Sequence, residues 1–254
     1  MVYDGKIPAG TSESAMAQAL IDAGADPDFD MGHPMMAAVS YNAINVVRAL
    51  LDGGAAVDGV DGDGLPMAYA VHFGHPHIIA LLVERGAKLD LRFAAGAGDL
   101  QAIKRFINPD GSLKPGAGDL ADPYTHKDKK RGKGVHRMER TRENILLQAF
   151  YFACQGAQYE CAEFLLEQGI DINAYVPGLD SDAPTLHHCC WLNWHGKGED
   201  SKVRAPRYLK TVRFLLEHGA HPNLPNKYGA RALAYANFRS TAEIRSLLKA
   251  YGAE

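Results

Sequence analysis

The chain has 254 residues, 46% of them apolar and 22% charged, enough apolar material for a folded body and too much for a disordered one. Its 27 Lys and Arg against 30 Asp and Glu leave a formal charge of −3, which excludes a whole-chain polyanion binder but leaves room for a local basic patch. No apolar run approaches the roughly 18 residues of a membrane span. The opening MVYDGKIPAG lacks the basic-then-apolar pattern of a secretory signal. Four cysteines, Cys154, Cys161, Cys189 and Cys190, do not make a disulfide scaffold, and a cytoplasmic location is expected.

Along the chain one phrase is written six times: ALIDAGADPD (19–28), ALLDGGAAVD (49–58), ALLVERGAKLD (80–90), FLLEQGIDIN (164–173), FLLEHGAHPN (214–223) and SLLKAYGAE (246–254). Its glycines, Gly24, Gly54, Gly86, Gly169, Gly219 and Gly252, are spaced by 30, 32, 83, 50 and 33 residues. Paired leucines make an apolar stripe, and the glycine supplies the positive φ that closes a helix. A second phrase precedes it. His33-Pro34-Met35-Met36-Ala37-Ala38-Val39 and Leu65-Pro66-Met67-Ala68-Tyr69-Ala70-Val71 place Pro in a first helical turn, where its missing N–H costs nothing. Gly74-His75 then breaks the chain before a helix through Ile78, Ile79, Leu81 and Leu82. Helix, tight turn, helix, glycine and extended finger make one unit.

These phrases resemble the ankyrin-repeat family, whose pattern is T-P-L-H-x-A-A, then G-H, then a leucine-rich helix and G-A-D-x-N. Pro184-Thr185-Leu186-His187-His188-Cys189-Cys190 is the nearest copy of the first part, with Pro and Thr exchanged; Gly74-His75 and Gly24-Ala25-Asp26 match the rest. The short spacings sit near the family's period of about 33 residues. The resemblance implies an all-α solenoid of about seven helix-turn-helix units, a single domain over 1–254. The expected units are 11–30 (a second helix only, an N-terminal cap), 31–61, 62–90, 91–110, 141–176, 182–226 and 227–254. The fourth departs from the pattern at Leu91-Arg92-Phe93-Ala94-Ala95, and the fifth opens with a long helix from Glu143 to Gln155. Two loop insertions are expected, 108–141 and 193–207, both rich in Gly, Pro and charge.

The residues that could carry chemistry are few. His187, His188, Cys189, Cys190 and His195 are zinc-ligand types, and a hydrolase or metal-dependent enzyme centred on His187–His195 is the alternative they raise. Yet neighbours on a helix point about 100° apart, and zinc sites separate paired ligands by two to four residues. Cys189 and Cys190 also stand where the family has Ala-Ala, so packed thiols are the plainer reading. Asp26, Asp28 and Asp30 lack the glycine and glutamate of a calcium loop and read as a finger turn. No catalytic residue, metal or cofactor is assigned.

Residues 126–142 hold eight Lys or Arg against Asp128 and Glu139, a local +6 that leaves −9 for the remainder. Lys127, Lys129, Lys130, Arg131 and Lys133 are its densest part. The stretch lacks the interleaved aromatics of a single-strand platform, so nucleic acid is the lesser expectation beside a solvated loop or an acidic protein partner. The first helices carry a recurring aromatic stripe: Tyr41; Tyr69, His72 and Phe73; Phe152; His188 and Trp191; Tyr235, Phe238 and Arg239. Large rigid aromatics are the residue types of binding hot spots. The resemblance implies a non-catalytic module binding another protein through a concave face and finger loops, with no membrane partner.

Overall fold

All six phrase glycines take φ between 82° and 95°, a left-handed conformation that side chains resist. Each lets the next residue's N–H turn back onto the helix it leaves. Ala25 bonds the Leu20 carbonyl, Ala55 that of Leu50, Ala87 that of Leu82 and Ala220 that of Leu215, each at 2.9 Å. This is the six-to-one closure of a Schellman end. The local sequence thus decides where each second helix stops.

The computed structural model describes residues 12–124, 138–179, 182–191 and 199–254, without the side chains of 199–204 and Arg239. Among them, α1 (Glu13–Asp22) stands alone and the other helices come in antiparallel pairs. These are α2 (Phe29–Ser40) with α3 (Ile44–Asp52), α4 (Leu65–His72) with α5 (Pro76–Glu84), and α6 (Leu91–Ala97) with α7 (Leu100–Arg105). After the long insertion come α8 (Arg142–Gly156) with α9 (Tyr159–Glu167), α10 (Thr185–Cys189) with α11 (Glu199–Glu217), and α12 (Ala232–Arg239) with α13 (Ala242–Ala250). The described residues form no strand, only the isolated bridges Ile107–Leu113 and Tyr175–Pro184. Starts are set by side chains that accept orphan helix N–H groups: Asp90 from Phe93, Asp99 from Ala102 and Thr141 from Asn144. Pro66 and Pro76 open α4 and α5.

The phrase leucines Leu82, Leu165, Leu215 and Leu248 are fully buried. They belong to two apolar clusters, one over the first pairs and one over the later pairs, which adjoin at α6 and α8, as expected when each unit can hide its apolar face only against the next. One seam is tighter than the rest. A Cβ at Gly156 of α8 would lie 2.5 Å from the Gly96 carbonyl oxygen of α6, and one at Gly96 would lie 2.6 Å from Val71 of α4. Small residues here make the α6–α7 pair thin, so α8 reaches across it to α4.

One of the two expected loops, 193–207, is in part helical, whereas the described part of 108–141 is a loop. Of 193–207, residues 199–207 belong to α11, which is 19 residues long and carries Pro206 inside it. Pro206 is exposed there, so its ring meets solvent and its missing N–H removes one ladder bond without opening the core. Of 108–141, the described part contains no helix and is packed against the stack at some points and exposed at others, Pro109, Asp110, Ser112, Lys114, Pro115 and Asp119 being exposed. Ala117, Asp122 and Met138 are buried. The Leu91 N–H bonds the Ala117 carbonyl at 3.1 Å, and the Ala121 N–H bonds the Asp63 carbonyl at 2.6 Å.

Candidate functional site

The first helices of successive pairs share one face, and on it lies a cavity of about 390 Å³. His72 and Phe73 enter from the end of α4, Tyr151 and Gln155 from α8, and His188 from α10, with Trp191 just past the end of α10. Tyr235 of α12 and Tyr228 of the preceding finger close the far side. Tyr208 of α11, Leu179 and the insertion's Tyr124 complete the wall.

The polar tips of these rings are held by one another. His72 sits between two phenols, with the Tyr124 hydroxyl 2.7 Å from Nε2 and the Tyr151 hydroxyl 2.9 Å from Nδ1. One ring nitrogen accepts and the other donates in the neutral imidazole. Tyr208 donates its hydroxyl to Gln155 Oε1 at 2.9 Å, and Asn226 Nδ2 donates to the Tyr235 hydroxyl at 2.7 Å. Burial pushes the Tyr151 phenol well above its ordinary value, with the neighbouring Tyr124 and Tyr208 adding to the rise. The rings meet edge to face: His72–Tyr124 at 76°, Tyr151–His188 at 71° and Trp191–Tyr235 at 63°.

Tyr124 is placed by a charged cluster beneath it. Arg92 of α6 is fully buried and spends all five donors. Its Nε and one terminal nitrogen reach Asp90 Oδ2 at 2.8 and 2.7 Å, and the other terminal nitrogen reaches Asp122 Oδ1 at 2.7 Å. The Gln148 side chain and the Leu120 carbonyl take the remaining two. Asp122 also accepts from Arg140 at 2.9 Å and from the Met138 N–H at 3.1 Å. Burial raises the Asp90 carboxyl, and the Arg92 charge, with donors from Arg92, Phe93 and Leu120, pulls against it. The geometry is that of an ionised acceptor-only carboxylate.

The His/Cys cluster is part of the packing. Cys189 and Cys190 are fully buried, and burial pushes the Cys189 thiol up to about 12 and the Cys190 thiol well above its usual value. A thiol so raised offers almost no thiolate nucleophile near neutral pH. His187 is buried, holds the Ala230 carbonyl through Nε2 at 3.2 Å, and is shifted down by desolvation, so it stays neutral. Among the described residues no three His, Cys, Asp or Glu side chains gather as a metal site. His195 lies outside the described residues.

The expected stripe is brought together in part. His72, Phe73, His188, Trp191 and Tyr235 line the cavity. Phe238 and Tyr41 are exposed, 70% and 64%. Phe238 is 6.1 Å from Trp191 between ring centroids, beside the cavity, whereas Tyr41 stands on α2's end away from it. Tyr69 and Phe152 are corrected: both are buried. Tyr69 packs edge-on against Phe73 at 5.7 Å. Phe152 fills the space left above Gly96, 5.8 Å from Phe93, so its neighbour Tyr151 faces the cavity. The Arg239 side chain and the basic residues Lys127, Lys129, Lys130, Arg131 and Lys133 lie outside the described residues. Tyr124, Tyr151, Tyr208 and Tyr228 are additions. Tyr151 was signalled by its aromatic neighbour, while Tyr124 and Tyr208 come from an insertion and a second helix, where no periodic stripe points to them.

Antiparallel helix pairs stacked side by side, each closed by a glycine and linked by fingers, define a helical-repeat protein. Residues 9–93 match the family model described as ankyrin repeats, in three copies, and that stretch of the chain carries ankyrin repeats. No curated protein matches it. Among solved structures it is similar to one titled as the ankyrin repeat domain of Bcl-3, a unique member of the IkappaB protein family. The two are 22% identical, with a TM-score of 0.41, over 87% of this chain and 86% of that one. Among the described residues no helix is long and apolar enough to cross a membrane.

Proposed function

We propose that the chain is a non-catalytic protein-interaction module that holds a macromolecular partner on its first-helix face and fingers, in the cytoplasm. The observation that carries this is the exposed aromatic group beside the cavity. Phe238 is 70% exposed, Trp191 is 37% exposed and Tyr228 is 72% exposed, and the Trp191 ring stacks edge-on against both Tyr235 and Phe238. Large rings anchored at one edge and open on another lose little entropy on contact, which is the profile of hot-spot residues. The described thiols near this face are buried and held protonated, which does not favour a thiol nucleophile there.

The experiment is affinity capture with the full chain as bait, comparing wild type with Trp191→Ala combined with Phe238→Ala. A protein recovered by wild type and lost with the double variant is expected. Equal recovery by both would remove this face as the contact surface.

A further inference from the structure

The cavity on the first-helix face is built as a cage of rings. We infer that it binds a quaternary ammonium group, a trimethylated nitrogen that enters among Trp191, Tyr228, Tyr235, Tyr151 and Tyr124. Four features of the cavity, of geometry or of charge, support this.

The first is what the lining offers. Phenols with hydroxyls committed to other side chains present ring surface rather than hydrogen bonds. Tyr124 and Tyr151 are held by His72, Tyr208 by Gln155 and Tyr235 by Asn226. A π-face attracts cations placed within about 6 Å of its centroid. Locked hydroxyls also mean the rings are set before the ligand arrives, which lowers the ordering cost.

The second is shape. The lining rings in contact meet at 40° to 76°. Walls inclined in this way surround a volume, whereas a flat base or aromatic ligand calls for a parallel face on which to stack. A cavity of about 390 Å³ takes a compact, near-spherical head group with room for the chain that carries it.

The third is why the cation is alkylated. Among the described residues the lining contains no carboxylate. A primary ammonium would give up hydrogen bonds for its three N–H donors and meet phenol oxygens already in use. A trimethylated nitrogen has no N–H to satisfy, and its methyl groups are at home against rings.

The fourth is the field. The whole chain carries a net −3, with a local +6 over 126–142 close to Tyr124 in sequence, so the field of the molecule favours a cation only weakly. Arg207 stands over Tyr208 at 5.5 Å, but its guanidinium is bound to the Gly74 carbonyl at 2.6 Å. Lys227 likewise stands over Tyr228 at 5.2 Å while paired with Asp182 at 3.0 Å. Both cations are thus engaged by acceptors that are not part of the lining.

The placement rests on the interaction reading of this face, but the assay does not need a partner protein, so the two can fail separately. Tetramethylammonium and choline are titrated into the full chain by calorimetry, beside the neutral choline isostere 3,3-dimethylbutan-1-ol. Saturable binding of both cations is expected, with the neutral isostere weaker by about tenfold, the size of a desolvated cation–π contact. Trp191→Ala should weaken choline by a similar factor and Trp191→Phe by less, with both variants checked for an unchanged melting temperature. A peptide with one trimethyllysine is then compared with its unmethylated twin. Trimethyl peptide tighter than choline places the group on a protein partner; equal or weaker places it on a free small molecule. Either supports the cage. No saturable binding of either cation, or equal binding of the neutral isostere, overturns it.

Discussion

The Asp58 carboxylate accepts the backbone N–H of Lys88 at 2.7 Å, from one finger to the next. It is one rung of a ladder. Asp28 accepts the Ala56 N–H at 3.0 Å, Asn173 the His221 N–H at 2.8 Å, and Asn223 the Glu254 N–H at 2.9 Å. Each acceptor lies four residues after a phrase glycine and each donor two residues after the next, so the repeat period sets the register. The asparagines add a second bond by donating to the Gly219 and Gly252 carbonyls at 3.2 and 2.6 Å.

Removing a rung should therefore loosen one interface. Asp58→Ala is expected to cost about 1–2 kcal/mol, the range of a hydrogen bond to a charged acceptor. Asp58→Asn keeps the acceptor and can add the bond to the Gly86 carbonyl, so it should stay within about 0.5 kcal/mol of wild type. Urea unfolding midpoints measure both. An asparagine variant as weak as the alanine one would show that the rung is not a directed hydrogen bond.

The ladder breaks at Asp90, which holds the same place after Gly86 but turns inward to cap α6 and pair with Arg92. Arg92 is then the tie between the repeat stack and the insertion. Taking away one partner of a buried pair leaves the other charge stranded, at a cost of about 3–5 kcal/mol. Asp122→Ala and Arg92→Ala should each fall in that range by denaturant unfolding. A double-mutant cycle should show strong coupling, with the double variant less destabilised than the two costs added. Additive losses would show that Arg92 and Asp122 act independently.

How far the sequence reveals this molecule follows from the range of each interaction. Helix ends were legible because a glycine's φ and the carbonyls it frees lie within six residues. The recurrence of Asp or Asn four residues past each glycine was also visible, although its partner, some 30 residues on, was not. The Arg92 cluster joins α6 to residues 30 and 56 positions away. Its one local sign was a charge inside the apolar opening Leu-Arg-Phe-Ala-Ala. The cavity was half legible, since a stripe read by helical period finds residues on first helices only. It also cannot tell Tyr151 from Phe152: both are buried, and which of them packs against α6 while the other reaches the cavity wall follows from the missing side chain at Gly96.

That close approach carries its own test. The Gly156 Cβ position faces backbone, the Gly96 carbonyl at 2.5 Å, which cannot swing aside as a side chain does. Gly156→Ala should raise intrinsic helix propensity and still destabilise the chain by about 1–3 kcal/mol through overpacking. Tyr151 should move with α8, so Trp191 fluorescence, reported through its neighbours, should change as well. A stabilised variant would mean that the α6–α8 seam has slack.

Thr185 is fully buried, and its hydroxyl has no hydrogen-bond partner among the described residues. The exchange of Pro and Thr relative to the family phrase accounts for this, because Pro184 holds the N-cap and offers no hydroxyl. Thr185→Val preserves shape and deletes an unsatisfied group. It should be neutral or stabilising by up to about 1 kcal/mol. A loss above that size would show that the hydroxyl is hydrogen bonded in solution.

The buried thiols give stability a pH dependence whose sign can be worked out. Burial holds the folded Cys189 thiol up to about 12, while the unfolded chain's thiol titrates near 8.5. Below that lower value both states are protonated, and the contribution to stability is complete. As pH rises between the two, the unfolded state sheds a proton that the folded state keeps, and stability falls, by up to about 1.4 kcal/mol per pH unit for one such group. Cys189→Ala removes this slope and leaves the other titrating groups in place. The stability gap between wild type and Cys189→Ala should therefore narrow steadily from pH 9 to pH 11. A gap independent of pH across that range, or native Cys189 alkylated at neutral pH as fast as in urea, would show that the thiol is not sealed in the core.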